Sequence, residues 1–361
     1  MKTSLIGVVL SVGLLAACGR DPGGDGQPDG AMTIDAGVGA DATSTPDAAA
    51  PPSNTPGKFV HMIPGNGAMR EFIVYVPELA RGQTHAPLVV MIHGSSQSGE
   101  EFYSNSSWRQ VADLKGMIVV FPTGLEYCYF DDENHDGDFT DAGERHFGTK
   151  WAAGQLGEPA GLPLCTPAEL ATLTPAQRAR ADHPLQDDMA FFRSLFDFMG
   201  ASYSIDPKRI YTTGFSNGGA MSTRLAVEMS DRVAAAASSG GNMGIVPTVA
   251  PRPMTFVFSV GENDEKFTVG NGVTSLPMDE SLVTSFPQFV TRHIYAFSLA
   301  NAQVHDELML GGRRISRFTY STSTVGANNR YILAVMGNTA HVYPDFLPAT
   351  LWAIFEPLAL P

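Results

Sequence analysis

The stretch that most constrains this chain is Gly214-Phe215-Ser216-Asn217-Gly218. It lies between an apolar run, Arg209 to Thr213, and a small-residue segment of helical character, Gly219 to Ala226. A strand, a Gly-x-Ser-x-Gly turn and a helix in direct succession leave the backbone little choice. The turn is sharp, so glycine is needed wherever a Cβ would collide. It lifts the serine hydroxyl above the end of a strand and begins a helix at Asn217, whose N–H can stabilise a developing oxyanion. The bare pattern is a weak signal; the strand before it and the helix after it give it meaning.

The surrounding pattern predicts the rest of the domain. Arg70 to Pro77 alternates like a partly exposed strand, whereas Pro87 to Ile92 and Met117 to Phe121 are continuously apolar, as strands covered on both faces are. Further strands are expected at 209–213, 233–238, 254–260, 313–321 and 329–336. Helices are expected at 108–115, 185–203, after Ser216, at about 285–300 and near 346–356. A long polar stretch, about 125–184, interrupts the alternation. Strands alternating with helices imply an α/β fold: a mostly parallel central sheet with helices on both faces, and here an inserted acidic loop region.

A serine hydroxyl is a poor nucleophile until a general base takes its proton and an acid orients that base. The strand Met254 to Val260 runs into Gly261-Glu262-Asn263-Asp264, and the strand Tyr331 to Met336 runs into Gly337-Asn338-Thr339-Ala340-His341. Both loops leave the same sheet edge as Ser216, which selects Asp264 as orienter and His341 as base. Glu262 is the competing carboxylate. His293 falls within an expected helix and His305 in a connection with no strand before it. The loop after the first buried strand, His93-Gly94-Ser95-Ser96, should supply a second oxyanion N–H beside that of Asn217, from Ser95 or Ser96, with His93 holding the loop. This chemistry needs no cofactor.

These residues resemble the α/β-hydrolase esterases grouped as the polyhydroxybutyrate depolymerase and feruloyl esterase family, over roughly residues 70–360. The resemblance is carried by Pro87-Leu88-Val89-Val90 leading to His93-Gly94, by Asp187-Asp188-Met189-Ala190-Phe191, and by Ile205-Asp206-Pro207-Lys208-Arg209-Ile210-Tyr211 before Gly214-Phe215-Ser216-Asn217-Gly218-Gly219. It implies hydrolysis of carboxylic esters, in feruloyl or acetyl side chains of polysaccharides or in short-chain polyhydroxyalkanoates. Tyr343 stands where that family often has Trp, and Ser95 where it often has Cys. A peptidase on the same fold, which shares Gly-x-Ser-x-Gly-Gly, is one alternative. A non-catalytic, calcium-stabilised surface-binding lipoprotein is the other.

The first eighteen residues read as a targeting segment: Lys2, then an apolar Leu5 to Ala16 too short to span a bilayer. Leu15-Ala16-Ala17-Cys18 resembles a bacterial lipobox, which implies cleavage before Cys18 and its lipidation; an ordinary secretory signal is the other reading. The expected location is therefore extracytoplasmic, at the outer membrane or cell surface, with the membrane reached only through the lipid. Residues 19–57 carry spaced aspartates among Gly, Pro and Ala and read as a disordered tether; 58–361 form the catalytic domain. A net charge of −14 disfavours nucleic acid as a partner. In an exported domain, Cys128 and Cys165 suggest a disulfide, with two buried thiols as the other reading.

Within the insertion, Asp132, Asn134, Asp136, Gly137 and Asp138 follow the opening of a calcium loop, with oxygen ligands at alternate positions. The bidentate acid expected at the twelfth position is absent: counted from Asp132 that place is Gly143, and Glu144 comes one later. A structural calcium and a solvated acidic loop are both consistent with this pattern.

Overall fold

The computed structural model describes residues 53–361 except 66, 133–136, 140, 142, 158–160, 301 and 322–328. The leader, Cys18 and nearly all of the tether lie outside the described residues. In chain order the strands are β1 (Gly57–Pro64), β2 (Met69–Val76), β3 (Ala86–Ile92), β4 (Ile118–Pro122), β5 (Leu125–Phe130), β6 (Arg145–Lys150), β7 (Ile205–Phe215), β8 (Ala235–Ser239), β9 (Thr255–Gly261), β10 (Gln303–Leu310), β11 (Arg313–Ser321) and β12 (Arg330–Met336). The helices are α1 (Gly99–Asn105), α2 (Trp108–Lys115), α3 (Pro167–Leu170), α4 (Pro175–Ala181), α5 (Asp188–Ser202), α6 (Asn217–Glu228), α7 (Glu265–Thr268), α8 (Ser281–Ser285), α9 (Thr291–Ala296) and α10 (Leu347–Phe355).

Among the described residues one sheet runs in the order β1-β2-β4-β3-β7-β8-β9-β12-β11-β10. The stretch from β4 to β12 is parallel, and antiparallel pairs close both edges. Period-two alternation in β3 sends Leu88, Val90 and Ile92 to one core, beneath α5 and α6. Val89 and Met91 go to the other, beneath α2 and α10. Because both faces are covered, every residue of β3 and β4 is buried. Tyr211 of β7 fastens α10 from below: its ring stacks on Phe355 at 5.2 Å and its hydroxyl donates to the Leu358 carbonyl at 2.6 Å.

The helix expected at 285–300 is broken into α8, a 3₁₀ turn at Pro287–Phe289, and α9. Pro287 has no N–H to continue the ladder and excludes the preceding residue from helical geometry. α5 begins at Asp188 rather than 185, because the Asp187 carboxylate caps it by accepting from Met189 N at 2.9 Å. His305 lies within strand β10, not in a connection. Its Nε2 lies 2.9 Å from Ser316 Oγ, and its ring stacks on Phe318 at 4.4 Å.

The described residues of the polar insertion include regular structure that its composition does not suggest. β5 and β6 pair as an antiparallel hairpin, with the acidic loop between them. Cys128 and Cys165 are joined by a disulfide with Cα atoms 5.3 Å apart. The two cysteines are 37 positions apart in sequence, so loop-closure entropy gives this bond about 4 kcal/mol of stabilisation. Reduction with a phosphine is expected to lower the urea midpoint accordingly. An unchanged midpoint would mean the insertion contributes nothing to the cooperative unit.

A buried ion pair ties the insertion to the domain. Arg70 Nη1 and Asp188 Oδ1 are 2.6 Å apart, with both side chains almost wholly buried, and Asp188 Oδ2 accepts from Ala152 N at 2.7 Å. The guanidinium also lies 4.2 Å from the centre of the Phe191 ring. Asp188→Ala strands a buried cation and an amide, so it should cost about 3–5 kcal/mol in denaturant unfolding. A loss under 1 kcal/mol would show that water reaches Arg70.

Candidate active site

β7 ends in the turn the sequence predicts. Ser216 sits at φ 52° and ψ −122°, a sparsely populated conformation for a residue with a Cβ, and caps α6. The turn is possible only with glycine on either side. A Cβ on Gly214 would lie 2.2 Å from the Gly218 carbonyl oxygen, and one on Gly218 would lie 2.2 Å from the His93 carbonyl oxygen. The second contact shows how closely the elbow presses on the loop after β3. Ser216 N donates to the Ser239 carbonyl at 2.8 Å, which fastens the turn to the end of β8.

Asp264 follows β9 and His341 follows β12, neighbouring parallel strands. His341 Nδ1 lies 2.9 Å from Asp264 Oδ2 and 3.0 Å from Oδ1. Asp264 is 1% exposed, and its Oδ1 also accepts from Lys266 N at 3.1 Å. The two loops are laced together: Glu262 N donates to Met336 O and Asn263 N to Thr339 O, each at 2.9 Å, and Asn338 N donates to Glu262 Oε2 at 2.7 Å. Glu262, the competing carboxylate, therefore fastens the backbone of the loop that carries His341 rather than its ring. The His341 ring packs on Phe215 at 4.8 Å, beside Ser216. Among the described residues no hydrogen bond joins Ser216 Oγ to His341. Such contacts commonly tighten only when substrate is bound.

The other histidines are placed elsewhere. His293 is fully buried and stacked on Tyr331 at 4.5 Å; burial pushes its pKa down to about 3, which makes it a neutral packing residue. His93 is also fully buried, and burial pushes its pKa down to about 4. Gly124 N donates to its Nε2 at 2.8 Å, so the proton sits on Nδ1, which donates to the Gly94 carbonyl at 2.6 Å.

That bond orients the loop. In a trans peptide the carbonyl and the next N–H point opposite ways. With the Gly94 carbonyl turned to His93, the Ser95 N–H points away from it, and it has no partner among the described residues. Ser96 N is already committed to the Thr149 carbonyl of β6 at 2.8 Å. Of the two candidate donors Ser95 is therefore the open one, and Ser96 is withdrawn. Asn217 N, in the first turn of α6, has no intrahelical acceptor.

A cleft of about 260 Å³ opens beside His341, lined among others by Gln97, Phe102, Asn105, Phe215 and Tyr343. The rings of Phe102, Phe215 and Tyr343 lie 6.0–6.3 Å apart and form an aromatic wall. Tyr343 is held by Trp108 Nε1, which donates to its hydroxyl at 2.9 Å. This wall has no local signature in the sequence, because Phe102 and Tyr343 are more than two hundred positions apart.

Of the acidic loop, Asn134 and Asp136 lie outside the described residues. Asp132 Oδ2 accepts from Gly137 N at 2.9 Å. Among the described residues, no group of three or more His, Cys, Asp or Glu could hold a metal ion, and no helix is long and apolar enough to cross a membrane.

No protein-family model matches the chain. It is similar to a bifunctional acetylxylan esterase/xylanase of Neocallimastix patriciarum, 24% identical over 199 residues, which is 55% of this chain and 22% of that protein. It is similar also to feruloyl esterase B of Piromyces equi, 28% identical over 170 residues, which is 47% of this chain and 24% of that protein. Among solved structures, an acetyl xylan esterase from Aspergillus awamori aligns over 82% of this chain and 99% of its own at 14% identity, with a TM-score of 0.48. The chain spans about a quarter of the length of these two curated relatives. Its large, mostly parallel sheet with helices on both faces, and the chain order of elbow serine, then Asp264, then His341, are those of the α/β-hydrolase fold.

Proposed function

We propose that this chain is a serine carboxylesterase acting through an acyl-enzyme. The observation that carries the reading is His341 Nδ1 at 2.9–3.0 Å from the Asp264 carboxylate, one sheet edge shared with a serine held at positive φ. Ser216 Oγ attacks the ester carbonyl carbon as His341 Nε2 takes its proton. The buried Asp264 holds the Nδ1–H tautomer and stabilises the imidazolium. The negative charge that develops on the carbonyl oxygen faces the N–H groups of Asn217 and Ser95. The intermediate collapses, and the alcohol leaves with the proton from His341. Water, deprotonated by His341, then attacks the acyl-serine and releases the acid.

Feruloyl or acetyl esters of polysaccharides are the favoured substrates. The names of the relatives support this class, and the aromatic wall of Phe102, Phe215 and Tyr343 suits a planar acyl or alcohol group stacked beside His341. Short polyhydroxyalkanoates are the second substrate class to assay. The leader and Cys18 support export and lipid anchoring, so the enzyme would act outside the cytoplasm.

The test is the initial rate of the purified domain on methyl ferulate, p-nitrophenyl acetate, hydroxybutyrate oligomers and a peptide p-nitroanilide. Ester turnover without anilide cleavage is the expected outcome. Preferential anilide cleavage would identify a peptidase. A folded protein inert on all of them, and to serine-directed fluorophosphonates, would identify a binding protein.

A further inference from the structure

Trp151, the residue after β6, is fully buried and bonds to both the loop after β3 and the first residue of α6. Its indole Nε1–H donates to the His93 carbonyl at 2.9 Å. Its main chain pairs reciprocally with the Asn217 side chain: Trp151 N donates to Asn217 Oδ1 at 2.6 Å, and Asn217 Nδ2 donates to the Trp151 carbonyl at 3.2 Å. The next residue is equally committed, with Ala152 N on Asp188 Oδ2 at 2.7 Å and Ala152 O accepting from Arg224.

We propose that Trp151 is a positioning residue for the oxyanion hole, through which the disulfide-stapled insertion sets the spacing between the N–H groups of Ser95 and Asn217. The inference rests on the serine esterase reading above. Successive peptide planes of the loop after β3 are each pinned. The His93 carbonyl accepts from the Trp151 indole while Gly94 N donates to Gln97 Oε1 at 3.0 Å. The Gly94 carbonyl accepts from His93 Nδ1, and Ser96 N donates to Thr149 O. Two of these anchors, Trp151 and Thr149, belong to β6 or its end. On the other side, the Asn217 amide fixes the first residue of α6 to the backbone of the same Trp151. One donor thus hangs from the indole and the other from the main chain of a single side-chain–backbone unit. Neither bond touches substrate. Both set where a charge that exists only in the transition state will be met.

The consequence is specific to the chemical step. Loosening this unit shifts the donors by fractions of an ångström, so kcat should fall by about 10–100-fold with KM held within about two-fold. A trifluoromethyl ketone analogue of the ester forms a hemiketal anion on a serine. Its Ki should rise by the same factor as kcat/KM falls.

The experiment compares wild type, Trp151→Phe and Ser216→Ala in the full exported chain, on p-nitrophenyl butyrate and the trifluoromethyl ketone. A second Trp151 variant carries 3-benzothienylalanine, which keeps the ring and all backbone bonds and deletes only the N–H. It reads the indole contact even where Trp151→Phe does not fold. The expected result is a fall in kcat with a matched rise in Ki for the benzothienyl variant. A kcat and Ki within two-fold of wild type, with Ser216→Ala inactive, overturns the positioning role and leaves the esterase reading standing. Full activity in Ser216→Ala overturns both.

Discussion

Replacing Ser216 by alanine is expected to lower kcat for ester hydrolysis by about 10⁵–10⁶-fold, with melting behaviour close to wild type. The size follows from the division of labour. The alanine enzyme keeps its N–H donors and substrate contacts, but water must attack the ester directly, without the covalent route that splits the reaction into two easier steps. Stability should hold, because Ser216 Oγ takes part in no hydrogen bond among the described residues. The strained φ of 52° is imposed by packing around Gly214 and Gly218, which alanine leaves in place. Initial rates on p-nitrophenyl acetate, read with a thermal melt of the same sample, check both halves. A loss smaller than ten-fold would remove Ser216 from the chemistry.

Asp264→Asn is expected to lower kcat by about 10⁴-fold while KM changes little. The local bonds dictate how the amide must sit. One oxygen of Asp264 accepts from Lys266 N, and the asparagine carbonyl will keep that partner. Its NH₂ then occupies the place of Oδ2, 2.9 Å from His341 Nδ1. A donor there forces the ring proton onto Nε2, so the nitrogen facing Ser216 can no longer accept. The buried site also loses the negative charge that stabilises imidazolium. The pH–rate profile gives an independent reading: the variant should regain rate as pH rises, when hydroxide in place of His341 removes the serine proton. A variant within three-fold of wild type at neutral pH would mean that another group orients His341.

Much of this site was legible because its signals are local. The elbow is carried by five consecutive residues, and Asp264 and His341 each follow an apolar strand by a short loop. The same holds for the core strands: β3 and β4 are continuously apolar because both faces are covered. The parts that escaped are those whose reasons are distant in sequence. β10 escaped because an edge strand alternates exposed and half-buried residues and carries paired charges such as Asp306 with Arg317. That hid the true place of His305. The choice between Ser95 and Ser96 turned on Thr149, in a hairpin that the polar composition of the insertion concealed. Trp151 carries no local signal, because its bonds reach 58 and 66 positions along the chain. The hydrogen bonds of Trp151 make the insertion a brace for the loop after β3 and the start of α6.

The proposed role of Ser216 Oγ as a nucleophile activated by His341 can be read from the site of a covalent adduct. The folded protein is treated with a fluorophosphonate, digested and sequenced by tandem mass spectrometry, alongside His341→Ala. One stoichiometric phosphonyl adduct is expected, on Ser216 in the peptide containing Gly214 to Gly218, with labelling slowed by orders of magnitude in His341→Ala. An adduct on a different residue, or equal labelling rates in the two proteins, would contradict it.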